Sequence, residues 1–212
     1  MRALVHAGSV LSLLLLSACA HSPSTTTAAS TAPQATHTDI DPATRLAFFI
    51  NDIRQGRCDK IAPGLAAGLG VNAFDTLDQT PLIAAVSHNQ LDCARQLIDA
   101  GADVNLADNA GWSPLIHSAY FGSSVDLMTL LIDKGAKLDA QNNRGLTALY
   151  MASASAHEPQ VELLLARGAD PKIATQSGYT ALRVAQLRGL TRISELLGNK
   201  SQPTTAPQTS TH

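Results

Sequence analysis

The feature that most constrains this chain is a phrase that returns at a fixed beat. Thr80-Pro81-Leu82, Ser113-Pro114-Leu115, Thr147-Ala148-Leu149 and Thr180-Ala181-Leu182 stand 33, 34 and 33 residues apart. A second phrase keeps the same time. Leu97-Ile98-Asp99-Ala100-Gly101, Leu131-Ile132-Asp133-Lys134-Gly135 and Leu164-Leu165-Ala166-Arg167-Gly168 space their glycines by 34 and 33 residues. A period of this size implies a chain built from one small supersecondary unit that cannot bury its apolar face alone, so neighbouring units must stack. The beat runs backward as well, because Leu65-Ala66-Ala67-Gly68 lies 33 residues before Ile98-Asp99-Ala100-Gly101 and Val71-Asn72 lies 33 before Val104-Asn105. Five units follow, beginning near Pro42, with the outer two atypical.

The residue types explain the local structure. Thr80 and Ser113 read as helix N-caps whose hydroxyls accept from free N–H groups, and the proline after each sits in the first turn, where a missing N–H costs nothing. Gly101, Gly135 and Gly168 fall just past a helix, where a left-handed backbone favours a residue without Cβ. Gly111, Gly145 and Gly178 do the same before each cap, and Asp78 stands in for glycine in the second unit.

These phrases resemble the ankyrin repeat, whose 33-residue unit pairs a Thr-Pro-Leu helix start with a Leu-Leu-x-x-Gly-Ala-Asp helix end. The resemblance implies an all-α solenoid of about five helix-turn-helix units joined by β-turns. Departures are local. Unit one reads Leu46-Ala47-Phe48-Phe49-Ile50 in place of the cap phrase, and Pro63-Gly64 predicts a short or kinked second helix. Unit three carries one extra residue around Gly122-Ser123-Ser124, unit four starts a helix at Glu158-Pro159, and unit five is expected to end at Gly198.

Before the repeats, Met1 to Ala18 carries Arg2 and the run Val10-Leu11-Ser12-Leu13-Leu14-Leu15-Leu16, the pattern of a secretory signal and too short to span a bilayer. Leu16-Ser17-Ala18-Cys19 resembles the bacterial lipobox, which implies cleavage before Cys19 and acylation of that cysteine. The lipoprotein resemblance, with Ala20 rather than Asp next, implies an outer-membrane location facing the periplasm of a diderm bacterium. Residues 19–41 are rich in Ser, Thr, Ala and Pro and predict a flexible tether, 42–198 the repeat domain, and 199–212 a disordered tail.

Composition excludes several functions. A formal net charge of −2 with 15% charged residues supplies no phosphate-seeking field, so nucleic acid is not an expected partner. Three cysteines make neither a disulfide mini-domain nor a four-cysteine zinc site, and no His-Glu-x-x-His, Gly-x-Ser-x-Gly, phosphate loop or Gly-x-Gly-x-x-Gly occurs. No metal, cofactor or catalytic residue is expected. His117 reads as a structural histidine, and His157 matches the structural His of the ankyrin pattern. Cys58 and Cys93 carry two readings: small buried hydrophobes, or a disulfide that staples unit one to unit two in an oxidising compartment.

The ankyrin resemblance implies a ligand held by the turn tips and inner-helix ends of the concave side. Carried over position by position, this gives Leu77, Gln79, Ser87 and His88, then Asn109, Ala110, Trp112, Tyr120 and Phe121. It continues with Asn143, Arg144, Leu146, Ala154 and Ser155, then Gln176, Tyr179 and Arg188. Unit three stands out, because the only Trp lies within ten residues of Tyr120 and Phe121. Aromatic anchors near Arg are typical of binding hot spots; the bland alternative is that they fill space left by the extra residue. The expectation is a monomeric, non-enzymatic, lipid-anchored module that binds one or more proteins, as a scaffold or protective factor of the envelope. An immunity-type inhibitor of one toxin or enzyme, or a structural protein that binds a cell-wall polymer, are the alternatives.

Overall fold

The computed structural model describes residues 40–201. The signal segment, Cys19, the tether up to residue 39 and the tail beyond 201 lie outside the described residues. Unit one pairs α1 (Pro42–Arg54) with a 3₁₀ turn (Cys58–Lys60) that runs into α2 (Ile61–Ala66). The later units pair α3 (Pro81–Ser87) with α4 (Leu91–Asp99), and α5 (Pro114–Phe121) with α6 (Val125–Asp133). α7 (Ala148–Ala154) pairs with α8 (Glu158–Ala166), and α9 (Ala181–Leu187) with α10 (Thr191–Ser201). The connections are hydrogen-bonded turns, and one isolated antiparallel bridge joins Ala174 to Thr180.

The caps form as their chemistry dictates. Thr80, Ser113, Thr147 and Thr180 each accept a hydrogen bond from the backbone N–H three residues on, at 3.1, 3.3, 3.1 and 3.2 Å. Gly101, Gly135 and Gly168 have φ near +93°, and Asp78 at +56° takes the place that Gly111, Gly145 and Gly178 hold in the later units. α2 is short, as Pro63 predicts, and Gly64 is fixed by crowding, because a Cβ there would stand 2.5 Å from the Phe49 ring. The boundary expected at Gly198 is corrected: that residue lies inside α10, which continues to Ser201. A glycine in a helix costs only about 1 kcal/mol, less than neighbouring apolar contacts supply.

Packing is between like helices of adjacent units. The first helices of neighbouring units contact one another more extensively than the second helices do. The register five residues after each cap is small and fully buried, as Ala85, Ser118, Ala152 and Ala185 are all 0% exposed. Short side chains let helix axes approach, and the larger Leu82, Leu115 and Leu149 fill the space beside them. The second helices contribute Leu97, Leu131, Leu164 and Leu197 to the same core.

The ends of α1, α3 and α5 are closed by the next unit. Gln90 Nε2 donates to the Arg54 carbonyl at 3.0 Å, Ser123 Oγ to that of Val86 at 2.7 Å, and His157 Nδ1 to that of Ala119 at 3.0 Å. Carbonyls left open by helix termini are thereby satisfied across the unit boundary. The structural role expected for His157 is this bond. Cys58 and Cys93 are joined by a disulfide, closing a sequence separation of 35 residues between the first two units. A loop of that size contributes about 4 kcal/mol in the chain-entropy account, placed where unit one has the least regular helix.

A further left-handed position recurs nine residues after each helix cap, at Asn89, Gly122, Ala156 and Gly189. Ala156 is the strained member, with φ +62° on a residue carrying Cβ. Gly122 is the crowded one, since its Cβ would stand 2.7 Å from the His157 ring. Ala156→Gly should therefore stabilise the protein by about 0.5–1 kcal/mol while Gly122→Ala destabilises it by more, read as opposite shifts in urea midpoint. Equal shifts of one sign would contradict this reading.

Candidate protein-binding face

Each turn tip is built on one acceptor side chain. Asp75 Oδ1 accepts from the N–H groups of Leu77 and Gln79 at 2.9 and 3.0 Å, and Asp108 Oδ1 from those of Ala110 and Trp112 at 2.9 and 2.8 Å. Asn142 Oδ1 accepts from Arg144 and Leu146 at 2.9 and 3.0 Å, and Thr175 Oγ1 from Tyr179 at 3.2 Å. Short acceptors that fold back on their own backbone fix such turns. Adjacent tips are tied by Asn143 N–H to Ala110 O and Gln176 N–H to Arg144 O, each 3.1 Å. The tips therefore present Gln79, Trp112, Leu146 and Tyr179 at equivalent positions, each immediately before a helix cap.

The second oxygen of each acidic tip reaches sideways. Asp75 Oδ2 pairs with Arg54 of unit one at 2.8 Å. Asp108 Oδ2 lies 3.0 Å from His117 Nε2, and because an ionised carboxylate only accepts, the proton sits on Nε2. His117 Nδ1 has no hydrogen-bond partner among the described residues. The ring is instead enclosed by aromatics. Trp112 lies 5.3 Å from it, Phe121 stacks parallel at 6.2 Å, and Tyr120 meets Trp112 edge-on at 5.4 Å and Phe121 at 5.0 Å.

The expected site residues therefore divide. Tyr120 and Phe121 are 44% and 53% exposed and form the open side of a four-ring cluster in which His117 is the buried member. Trp112 and Leu146 are half-buried and pack against the core, so Trp112 supports the patch as well as bordering it. Tyr179 is 40% exposed, and Asn109, Arg144 and Arg188 are exposed at tips or helix ends. His88 is exposed at the end of α3, where Nδ1 donates to the Ala84 carbonyl at 3.0 Å. Sequence reading missed the link from Asp108 to His117, although the recurrence of Asp75, Asp108, Asn142 and Thr175 at the unit period was a usable signal. No group of three His, Cys, Asp or Glu side chains suited to a metal occurs among the described residues.

The model of ankyrin repeats in three copies matches residues 53–142 and 115–206. This chain belongs to the ankyrin-repeat family. An ankyrin repeat protein of Rickettsia bellii is 33% identical over 128 residues, covering 60% of this chain and 71% of the relative. YahD, an ankyrin repeat protein of Escherichia coli, is 25% identical over 190 residues, covering 71% of this chain and 94% of its own length. The Danio rerio Notch homolog 1 is 35% identical over 115 residues, a match that spans 54% of this chain and only 5% of that protein. Ankyrin repeats are modules for protein–protein interaction, and the aromatic cluster lies on tips and inner-helix ends of such a stack.

Burial holds the His117 imidazole below its ordinary value of 6.5, against the opposing pull of Asp108. A second proton would also place a donor on Nδ1, which has no acceptor. Below pH 6.5 the unfolded chain takes up a proton that folded His117 resists, so stability falls with pH until the lower folded value is passed. Denaturant unfolding of the natural protein and His117→Gln between pH 7.5 and 5 should show a steeper acid loss in the natural protein. Parallel curves would contradict the assignment.

Proposed function

We propose that this protein is a non-enzymatic binding module of the cell envelope, anchored through an acylated Cys19, facing the periplasm and holding another protein on its inner-helix face. The observation that carries the binding face is the aromatic cluster of unit three. Two adjacent large side chains, Tyr120 and Phe121, are about half exposed and rest on Trp112 and His117, which restrict their motion. Rigid, exposed aromatics lose little conformational freedom on binding and dominate many interfaces.

The envelope location draws support from two sides. Leu16-Ser17-Ala18-Cys19 has the lipobox pattern, and a disulfide between Cys58 and Cys93 suits an oxidising compartment. Among the described residues no helix is long and apolar enough to cross a membrane. A lipid anchor with a Ser/Thr/Pro-rich tether would hold the stack near its target and raise their effective concentration. In this reading the protein is a scaffold or protective factor.

Crosslinking in intact envelopes followed by recovery of the protein tests this reading. The natural form is expected to bring down a specific protein that Tyr120→Ala with Phe121→Ala recovers at least tenfold less. The pair leaves Trp112 in place so that the core is spared. Equal recovery by both forms would move the binding site to another surface.

A further inference from the structure

Charge is divided between the two sides of units three to five. From residue 108 to 199 every helical carboxylate lies on a second helix, and the first helices α5, α7 and α9 carry none; the loop carboxylates Asp108, Asp139 and Asp170 each accept backbone N–H groups. Asp126, Asp133, Glu158, Glu162 and Glu195 are helical, and Asp139 and Asp170 follow in loops. Several are matched by bases on the same side. Arg167 pairs with Asp133 at 2.6 Å, and Arg192 with Glu158 and Glu162 at 3.0 and 3.3 Å.

The inner-helix side has the opposite character. Arg144 stands at the tip of unit four and Arg188 at the end of α9, in the register that Phe121 holds in unit three. Neither forms an ion pair with another described residue. Leu187, beside Arg188, is 59% exposed and occupies the register of Tyr120. A chain with net charge −2 thus carries, over three units, first helices without a carboxylate, whose exposed aromatic and aliphatic groups are accompanied by Arg144 and Arg188.

We propose that this face selects an acidic segment of its partner: aromatic or aliphatic side chains that rest on Tyr120, Phe121 and Leu187, with carboxylates placed to pair with Arg144 and Arg188. The inference rests on the reading of the inner-helix side as the binding face. Guanidinium and carboxylate pair through two parallel hydrogen bonds, and their long-range attraction raises the association rate at low salt. Helices 8–10 Å apart make three units span about 20 Å, a length covered by about six extended residues. A segment rich in Lys or Arg would meet unpaired positive charge and be disfavoured.

The test uses the full chain, immobilised, and a displayed library of random 12-residue peptides. Enriched peptides are expected to combine Asp or Glu with aromatic or aliphatic residues, to bind at least tenfold more weakly to Arg144→Glu with Arg188→Glu, and to weaken as salt is raised. The doubly reversed protein should instead enrich Lys and Arg. Peptides without an acidic excess, or unaffected by the charge reversal yet lost on Tyr120→Ala, would overturn the acidic partner and leave the binding face standing. Peptides indifferent to both changes would overturn the face as well, and a selection that enriches nothing would overturn the proposal. Urea unfolding of each variant separates lost binding from lost folding.

Discussion

The close approach of first helices in neighbouring units is the contact on which the structure depends. Ala85, Ser118, Ala152 and Ala185 are fully buried at that contact, and only small side chains permit it. A larger residue at any of these positions would push two units apart and expose apolar surface on both, because each unit has only its neighbours to pack against. Carbonyls at the ends of α1, α3 and α5 are met by Gln90, Ser123 and His157 of the following unit, so polar groups too are joined across the stack. Unit one, the first among the described residues, is joined to unit two by the Cys58–Cys93 disulfide and by Arg54 reaching Asp75.

This arrangement creates the functional surface as a by-product of regularity. Turn tips held by Asp75, Asp108, Asn142 and Thr175 repeat the same backbone shape, so side chains placed just before and at the end of each first helix fall into rows. Residues at the helix ends lie outside the buried core and can vary without disturbing the stack. In unit three they become Trp112, Tyr120 and Phe121, and the His117 ring beneath them fills a position that is Ala84, Met151 or Val184 elsewhere. The extra residue of unit three is taken up at Ser124, which caps α6, while Ser123 turns inward to bond Val86, so the exposed aromatics are not needed to fill that insertion.

Much of the fold was legible because the signals were local and repeated. A hydroxyl before a proline caps a helix wherever it occurs, and glycine marks a left-handed turn by its lack of Cβ. The pairing of Asp108 with His117 was not legible, since it depends on a tip folding over the helix that follows it. Ala156 also escaped notice, because alanine gives no warning of a positive φ and only alignment with Gly122 and Gly189 reveals it. At Gly198 a local rule misled: glycine ends many helices, but here α10 passes through it to Ser201.

The central claim, that one side of a neighbour-stabilised stack does the binding, is tested most directly by footprinting the protein in intact envelopes against the purified chain with a side-chain-labelling reagent. The account predicts that Tyr120, Phe121, Tyr179 and Leu187 are labelled less in the envelope, while exposed residues of the second helices such as Val125 are labelled equally in both. Protection confined to the second helices, with Tyr120 and Phe121 unchanged, would contradict it.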